Sequence, residues 1–154
     1  PGVDGGGEPD PQPGVDGGVV DGGAPGGSTI ADLLAHGDGQ NLDILVEDIY
    51  VAYARDNGVA LQAQRDGPAI WLYEPGHTFA EGNRVSIRVT ELSTYMGTPQ
   101  VSGHLVIAND MGSYDVRANL AQDLTVAPGP GTLSELVQLT GATAVSSSTS
   151  AQLT

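Results

Sequence analysis

The stretch EGNRVSIRVTELSTYMGTPQV, residues 81–101, carries the strongest fold signal in this 154-residue chain. It opens on a turn, and from Arg84 to Leu92 apolar residues alternate with polar ones. A period of two is typical of a half-buried β-strand. The polar stretch STYMGTPQ (93–100) carries Gly and Pro and is too short for a helix, so we expect a bulged or kinked hairpin there. The segment therefore predicts a long strand and a corner from which the chain returns.

The residues before this strand predict three more strands joined by tight turns. LDILVEDIYVAYAR (42–55) is apolar on both sides, which suits a barrel strand that bends and changes neighbours. DNG (56–58) is typical of a hairpin turn, and VALQAQ (59–64) has the alternating pattern of the next strand. After DGP, the stretch AIWLY (69–73) supplies the third strand. Short strands joined by such turns, followed by one long strand, are the pattern of a five-stranded Greek-key barrel.

A short helix is predicted ahead of these strands. Ser28 or Thr29 is a candidate N-cap, and Asp32 lies three residues after Thr29 in the arrangement of a capping box. Apolar residues follow at helical spacing until Gly37. We therefore expect a helix over residues 30–35.

Five of these short motifs, in this order, resemble the OB-fold domains of bacterial extracellular proteins, the type found next to secreted nuclease domains. The matching stretches are TIAD (29–32), GVALQ (58–62), AIWLY (69–73), GNRVSIRV (82–89) and YMGTPQ (95–100). The resemblance implies a small barrel of the kind that binds ligands on the face of its second and third strands and in the flanking loops.

The remaining strands are expected at VSGHLVIAND (101–110) and YDVRANL (114–120). The chain is thus predicted to be all-β, a small five-stranded Greek-key OB-like barrel with a short N-terminal helix and an extended low-complexity arm. Residues 1–27 form the Gly/Pro/Asp-rich arm or linker, which buries too little apolar surface to offset its chain entropy. We assign residues 28–127 to the OB-fold domain and residues 128–154 to a linker and a β-prone tail, or to the start of a second domain.

Composition narrows the classes of function. The formal net charge is -14, with five arginines and no lysine, so binding to nucleic acid is disfavoured because it rests on neutralising phosphates. Without cysteine, disulfides and thiolate chemistry are excluded. No apolar run is long enough to predict a membrane span. We expect a secreted, acidic protein at an extracellular or cell-surface location.

Neither catalysis nor a cofactor is predicted. No nucleophile-elbow motif and no zinc-binding histidine pattern occurs in the sequence, so we expect no enzyme activity and no metal site. Calcium is left open, because Asn109, Asp110 and Asp115 place hard oxygen ligands in one loop. The alternative is a polar turn, which these residue types readily make.

The candidate ligand-binding residues lie on or beside the second, third and fourth strands: Gln62, Gln64, Trp71, Tyr73, Arg84 and Arg88. Trp71 and Tyr73 share one strand face and could stack bases or sugars, or could instead belong to the core or to a subunit interface. The two arginines are four residues apart on one face. They could form a small basic patch, or they could pair with nearby carboxylates.

Two functions from different classes follow. The first is a non-catalytic extracellular OB-fold module that acts in protein–protein assembly, as a subunit of a surface fibre or matrix. Arm and tail would exchange strands between copies, so the expected partner is the chain itself in a homo-oligomer or filament. The alternative is a ligand-binding accessory domain, for single-stranded nucleic acid or carbohydrate, of a larger secreted enzyme.

Overall fold

The structure, a computed structural model, describes residues 27–125, 134–139, 144–146 and 151–153. The predicted arm therefore lies outside the described residues except for Gly27. In chain order, the helices and strands are α1 (Ile30–His36), β1 (Gly39–Arg55), β2 (Gly58–Gln62), β3 (Ala69–Tyr73), β4 (Arg84–Tyr95), β5 (Thr98–Asp110), α2 (Val116–Leu120), β6 (Gln122–Leu124), β7 (Val137–Leu139), β8 (Ala144–Ser146) and β9 (Ala151–Leu153).

Five strands close into a barrel in the order β1–β2–β3–β5–β4, with β4 paired back to β1. All these pairings are antiparallel except that of β3 with β5, which is parallel. As predicted, β1 changes neighbours along its length. Up to Tyr50 it pairs with β4, and from Tyr50 to Arg55 it pairs with β2. The small all-β, five-stranded OB-like barrel is confirmed.

A bulge bends β1 at Asp48, where φ is +57° and the register with β4 shifts. The backbone N–H of Asp48 donates to Ser86 Oγ at 3.2 Å across the bulge. Simple alternation would place Val46 and Ile49 on opposite sides of the strand, but both are buried in the core. The extra residue re-aims the second half of β1, so that one strand supplies two walls of the barrel.

Helix α1 begins where its capping box predicts. Thr29 Oγ1 accepts from the Asp32 N–H at 3.2 Å, and the Asp32 carboxylate accepts from the Thr29 N–H at 2.7 Å. The helix ends at His36, one residue beyond the predicted end. Its apolar residues Ile30 and Leu33 pack onto the barrel core.

The prediction of a strand over residues 114–120 is wrong, because Val116–Leu120 forms helix α2. Asp115 is the N-cap, and its Oδ1 accepts from the Ala118 N–H at 3.0 Å. Val116 and Leu120 are four residues apart, so they lie on one helix face and pack on Ala52 of β1. An N-cap residue before an apolar i, i+4 pair is a helix signal, and here it overrides the alternation.

The predicted corner at residues 93–100 is a regular hairpin rather than a bulged or kinked one. Strand β4 runs to Tyr95, β5 starts at Thr98, and the two residues pair directly. Met96 and Gly97 form the turn with φ of 50° and 83°. Positive φ at both positions is the geometry of the two-residue turns that match strand twist.

Beyond the barrel, short strands form in the region predicted to be a β-prone tail. Strand β7 pairs in parallel with β6, and β8 pairs with β9 in an antiparallel hairpin. Leu136 packs against the cluster formed by Ala52, Val116 and Leu120, so the chain returns to the outside of β1 before β7 begins. None of the helices in the described part of the chain is both long and apolar enough to cross a bilayer.

Candidate functional site

A groove of about 690 Å³ opens where β3 meets the β4–β5 hairpin. Strand pairing brings the walls of the groove together. Strands β3 and β5 pair in parallel at Trp71 and Gln100, and the turn of the β4–β5 hairpin lies just before Gln100 in the chain. The described lining combines aromatic, amide and hydroxyl groups, with no charged side chain: Asn57, Trp71, Tyr73, Tyr95, Met96, Thr98, Gln100 and Ser134.

Strand β3 presents two of the predicted ligand-binding residues to this groove. Ile70 and Leu72 point into the core and are buried, so the alternate residues Trp71 and Tyr73 face outward together. Trp71 is half-buried and Tyr73 is exposed. The structure therefore places both aromatic rings at the barrel surface, on the side where the groove opens.

Small residues on β2 make room for the indole of Trp71. Ala60 is its cross-strand partner, and Gly58 is two residues further along the same face. A Cβ atom on Gly58 would lie 2.9 Å from Trp71 Nε1, closer than side-chain atoms normally approach. The indole therefore lies against the backbone of Gly58, which fixes one wall of the groove.

The β4–β5 hairpin supplies a second wall of the groove, and its residues are not among the predicted ligand-binding residues. Tyr95 and Met96 are 65% and 88% exposed, so large apolar surfaces face solvent at the groove. Gln100 Nε2 donates to Ser93 Oγ at 3.3 Å, which orients the amide on the floor of the groove. The motif YMGTPQ, which predicts a corner of the barrel, thus also contributes Tyr95, Met96, Thr98 and Gln100 to the groove.

Gln62 does not reach the groove. It is 0% exposed, and its amide is engaged within the chain. Nε2 donates to the carbonyl of Gln64 at 3.0 Å and to that of Leu120 at 3.4 Å, while Oε1 accepts from the Leu136 N–H at 2.9 Å. Gln64 follows the end of β2, is exposed, and is not part of the groove lining. We therefore leave both glutamines out of the proposed ligand-binding set.

Arg84 and Arg88 lie on β4, away from the groove, and each has a carboxylate partner on β1. Arg84 pairs with Asp48 at 2.8 Å, and Arg88 pairs with Asp43. Half-exposed ion pairs of this kind contribute little to stability, yet they occupy both guanidinium groups. The structure thus favours pairing over a basic patch at these two positions.

Two carboxyl groups have shifted pKa values. Hydrogen bonds from the Thr29 backbone and side chain lower the pKa of Asp32. Burial raises the pKa of Glu135, and the negative charge of Asp66 raises it further. Glu135 follows Ser134 along the chain but is not among the described lining residues of the groove.

Within the described ranges, no cluster of three His, Cys, Asp or Glu side chains has the geometry to hold a metal ion. Asn109, Asp110 and Asp115 lie in or after β5, and Asp115 serves as the N-cap of α2. Calcium binding there stays a prediction without structural support.

Comparison with protein-family models, curated proteins and solved structures found no match. The OB-like description therefore rests on the strand order of the barrel alone. The resemblance to extracellular OB-fold domains stays a prediction.

Proposed function

We propose that this chain is a non-catalytic OB-like module that binds a neutral carbohydrate chain in the groove at β3. The observation that carries the proposal is the groove lining. Trp71, Tyr73 and Tyr95 bring three aromatic rings to one concave surface, next to the amides of Asn57 and Gln100. Pockets that bind small ligands combine apolar walls with a few placed polar groups in this way.

Carbohydrate is the ligand class that suits these groups. A sugar ring has an apolar face that can lie on an aromatic ring, and its rim of hydroxyl groups both donates and accepts hydrogen bonds. Amide side chains such as those of Asn57 and Gln100 also do both. Tyr73 and Tyr95 add phenolic hydroxyls at the groove. A neutral oligosaccharide could therefore satisfy its polar groups without a charged partner.

The electrostatics argue against single-stranded nucleic acid as the ligand. The described lining of the groove has no cation, and the chain carries a net charge of -14. Arg84, Arg88 and Arg117 are paired with carboxylates, and Arg65 donates to the carbonyl of Ala118. Binding to a phosphate backbone needs cations that are free to replace its counterions.

Fluorescence titration tests the proposal directly, because Trp71 is the only tryptophan in the chain. Neutral glucan, xylan, mannan and chitin oligosaccharides would be added to the full-length protein, with a single-stranded oligothymidylate at low salt as the competing class. We expect a saturable change with at least one neutral oligosaccharide and none with the oligothymidylate. Salt-sensitive binding of the oligothymidylate, or no response to any oligosaccharide, would overturn the proposal.

A matched pair of variants localises the binding. Tyr95→Ala removes an aromatic ring from the groove, and a lost stacking contact costs roughly 1–3 kcal/mol, or about fivefold to 150-fold in affinity. Tyr53→Ala removes an exposed ring from β1, outside the groove lining. Equal losses in the two variants would place the ligand elsewhere.

Assembly through the arm and tail is the second candidate function. It would take place at the extracellular or cell-surface location expected from the composition. The supporting observation is the β8–β9 hairpin, because an isolated two-stranded sheet is marginal in water and gains from a partner strand. Deleting residues 1–27 should abolish filaments seen by electron microscopy while the barrel stays folded. Filaments formed by the truncated chain would rule out the arm.

A further inference from the structure

Strand β5 has two neighbours at its start and one afterwards. It pairs with β3 only through Gln100 and Val101, whereas its pairing with β4 continues to Asp110. Beside this short pairing, His104 Nε2 lies 3.2 Å from a carboxylate oxygen of Glu74. Among the described residues, no strand pairs with the outer edge of β5 over residues 105–110. That edge presents backbone N–H and C=O groups to solvent.

The same half of β5 exposes three consecutive apolar side chains. Leu105, Val106 and Ile107 are 58%, 45% and 53% exposed. The register with β4 shifts between Ser86 and Ile87, which leaves Ile107 as an extra residue in β5. Exposed apolar edges are templates for pairing with another chain, and proteins usually protect them with charges or proline. Residues 105–108 contain neither.

We propose that residues 105–109 of β5 pair with the same residues of a second copy, centred on Ile107, so that two barrels share one continuous sheet across a two-fold axis. A two-fold axis relates identical edges in antiparallel orientation, and an antiparallel pair uses the same edge of both strands. The interface is therefore self-complementary, with Ile107 opposite Ile107 of the second copy and Val106 opposite its Ala108.

The uncharged stretch along this edge suits a second copy as the occupant. Two chains of net charge -14 repel each other, and residues 105–109 are an uncharged run where they can meet without opposing carboxylates. Antiparallel pairing also puts the two Asp110 carboxylates at opposite ends of the interface, whereas parallel pairing would set them side by side. The Gly/Pro/Asp-rich arm is a poor alternative, because proline cannot donate to a ladder and its acidic residues would be brought against Asp110.

The proposed dimer is independent of the carbohydrate proposal and adds to it. The groove lies at the hairpin end of β5, near Thr98, and the proposed interface lies at the other end. At about 3.3 Å per residue, Thr98 and Ile107 are roughly 30 Å apart along the strand. Both grooves would stay open, so the dimer would be bivalent toward a repeating polysaccharide, with a gain in avidity.

The oligomeric state of the full-length chain tests the proposal. Sedimentation equilibrium over about 1–200 µM should show a monomer–dimer equilibrium. Ile107→Lys, which sets like charges against each other across the interface, should raise the dissociation constant at least tenfold with the circular dichroism spectrum unchanged. Tyr53→Lys, an exposed position on β1, is the matched control and should leave the dimer intact.

Cross-linking tests the register, because the chain has no cysteine of its own. Of three single variants, Leu105→Cys, Val106→Cys and Ile107→Cys, at least one should form a disulfide-linked dimer on mild oxidation, and Tyr53→Cys should not. A monomer at every concentration, or a dimer that Ile107→Lys leaves unchanged, would overturn the proposal. A dimer lost on deletion of residues 1–26 would identify the arm as the occupant and overturn it as well.

Discussion

The side chain of Gln62 joins the barrel to the chain that follows it, with Oε1 2.9 Å from the Leu136 backbone nitrogen and Nε2 3.4 Å from the Leu120 carbonyl oxygen. Gln62 ends β2 and is fully buried, so these partners replace water. Buried amides need such partners, because an unpaired polar group costs free energy. One amide therefore links both the end of α2 and the segment before β7 to the barrel, in addition to their apolar packing on Ala52.

Replacing Gln62 with leucine should destabilise the protein by about 1–3 kcal/mol, because it removes the partner of the buried Leu120 carbonyl and of the half-buried Leu136 N–H. Urea denaturation measures the loss. The control is Gln64→Leu, where the exposed side chain has no described partner, and we expect a change within about 0.5 kcal/mol. Equal effects would contradict the role assigned to the Gln62 amide.

Gly58→Ala should destabilise the barrel by about 1–3 kcal/mol through overpacking, because the new Cβ atom would lie 2.2 Å from the Leu72 backbone oxygen and 2.9 Å from Trp71 Nε1. Displacement of the indole should also shift the tryptophan emission. Gly76→Ala is the matched control, since Gly76 has φ of +79° and open space around it. It should cost about 1 kcal/mol from backbone strain and leave the emission unchanged. An unshifted emission in Gly58→Ala would argue against the close approach.

Asp32 should make the stability of α1 depend on pH at the acidic end. Its pKa is lowered in the folded state, so its contribution is fully present above the ordinary pKa of 3.8 and is lost as pH falls through the lowered value. Asp32→Asn should remove that part of the pH dependence, as measured by thermal unfolding between about pH 2 and 5. An unchanged acid limb would show that other carboxylates account for it.

Glu135 should make the stability of the protein depend on pH in the opposite sense to Asp32. Burial and Asp66 raise its folded-state pKa above 4.5, so the ionised form is disfavoured and stability falls as pH rises through that window. Glu135→Gln should therefore stabilise the protein at pH 7, and the gain should shrink as the pH is lowered toward 4.5. Denaturation curves at the two pH values measure this, and a gain that does not depend on pH would contradict the shift.

Local patterns were enough to predict the strands that build the site. The period of two in AIWLY put Trp71 and Tyr73 on one face, and the capping box placed the start of α1 at Thr29. The alternation in β4 and the tight turns indicated a Greek-key barrel, and the strand order confirms it. These features depend on residues close together in the chain, so the sequence can carry them.

Contacts between segments far apart in the chain set the features that local patterns did not predict. Gln62 was predicted to bind a ligand from its place on β2, but Leu120 and Leu136 come from 58 and 74 residues away to occupy its amide. The bulge at Asp48 put Val46 and Ile49 in one core.

Periodicity and caps act over a few residues, so they predict the barrel strands, most of the tight turns and the first helix, although the strand predicted over residues 114–120 is helix α2. Packing between segments sets which outward side chains meet in a groove, which are enclosed, and which edge is left open. Those outcomes depend on strand register and on packing between segments far apart in the chain, so no short stretch of sequence specifies them.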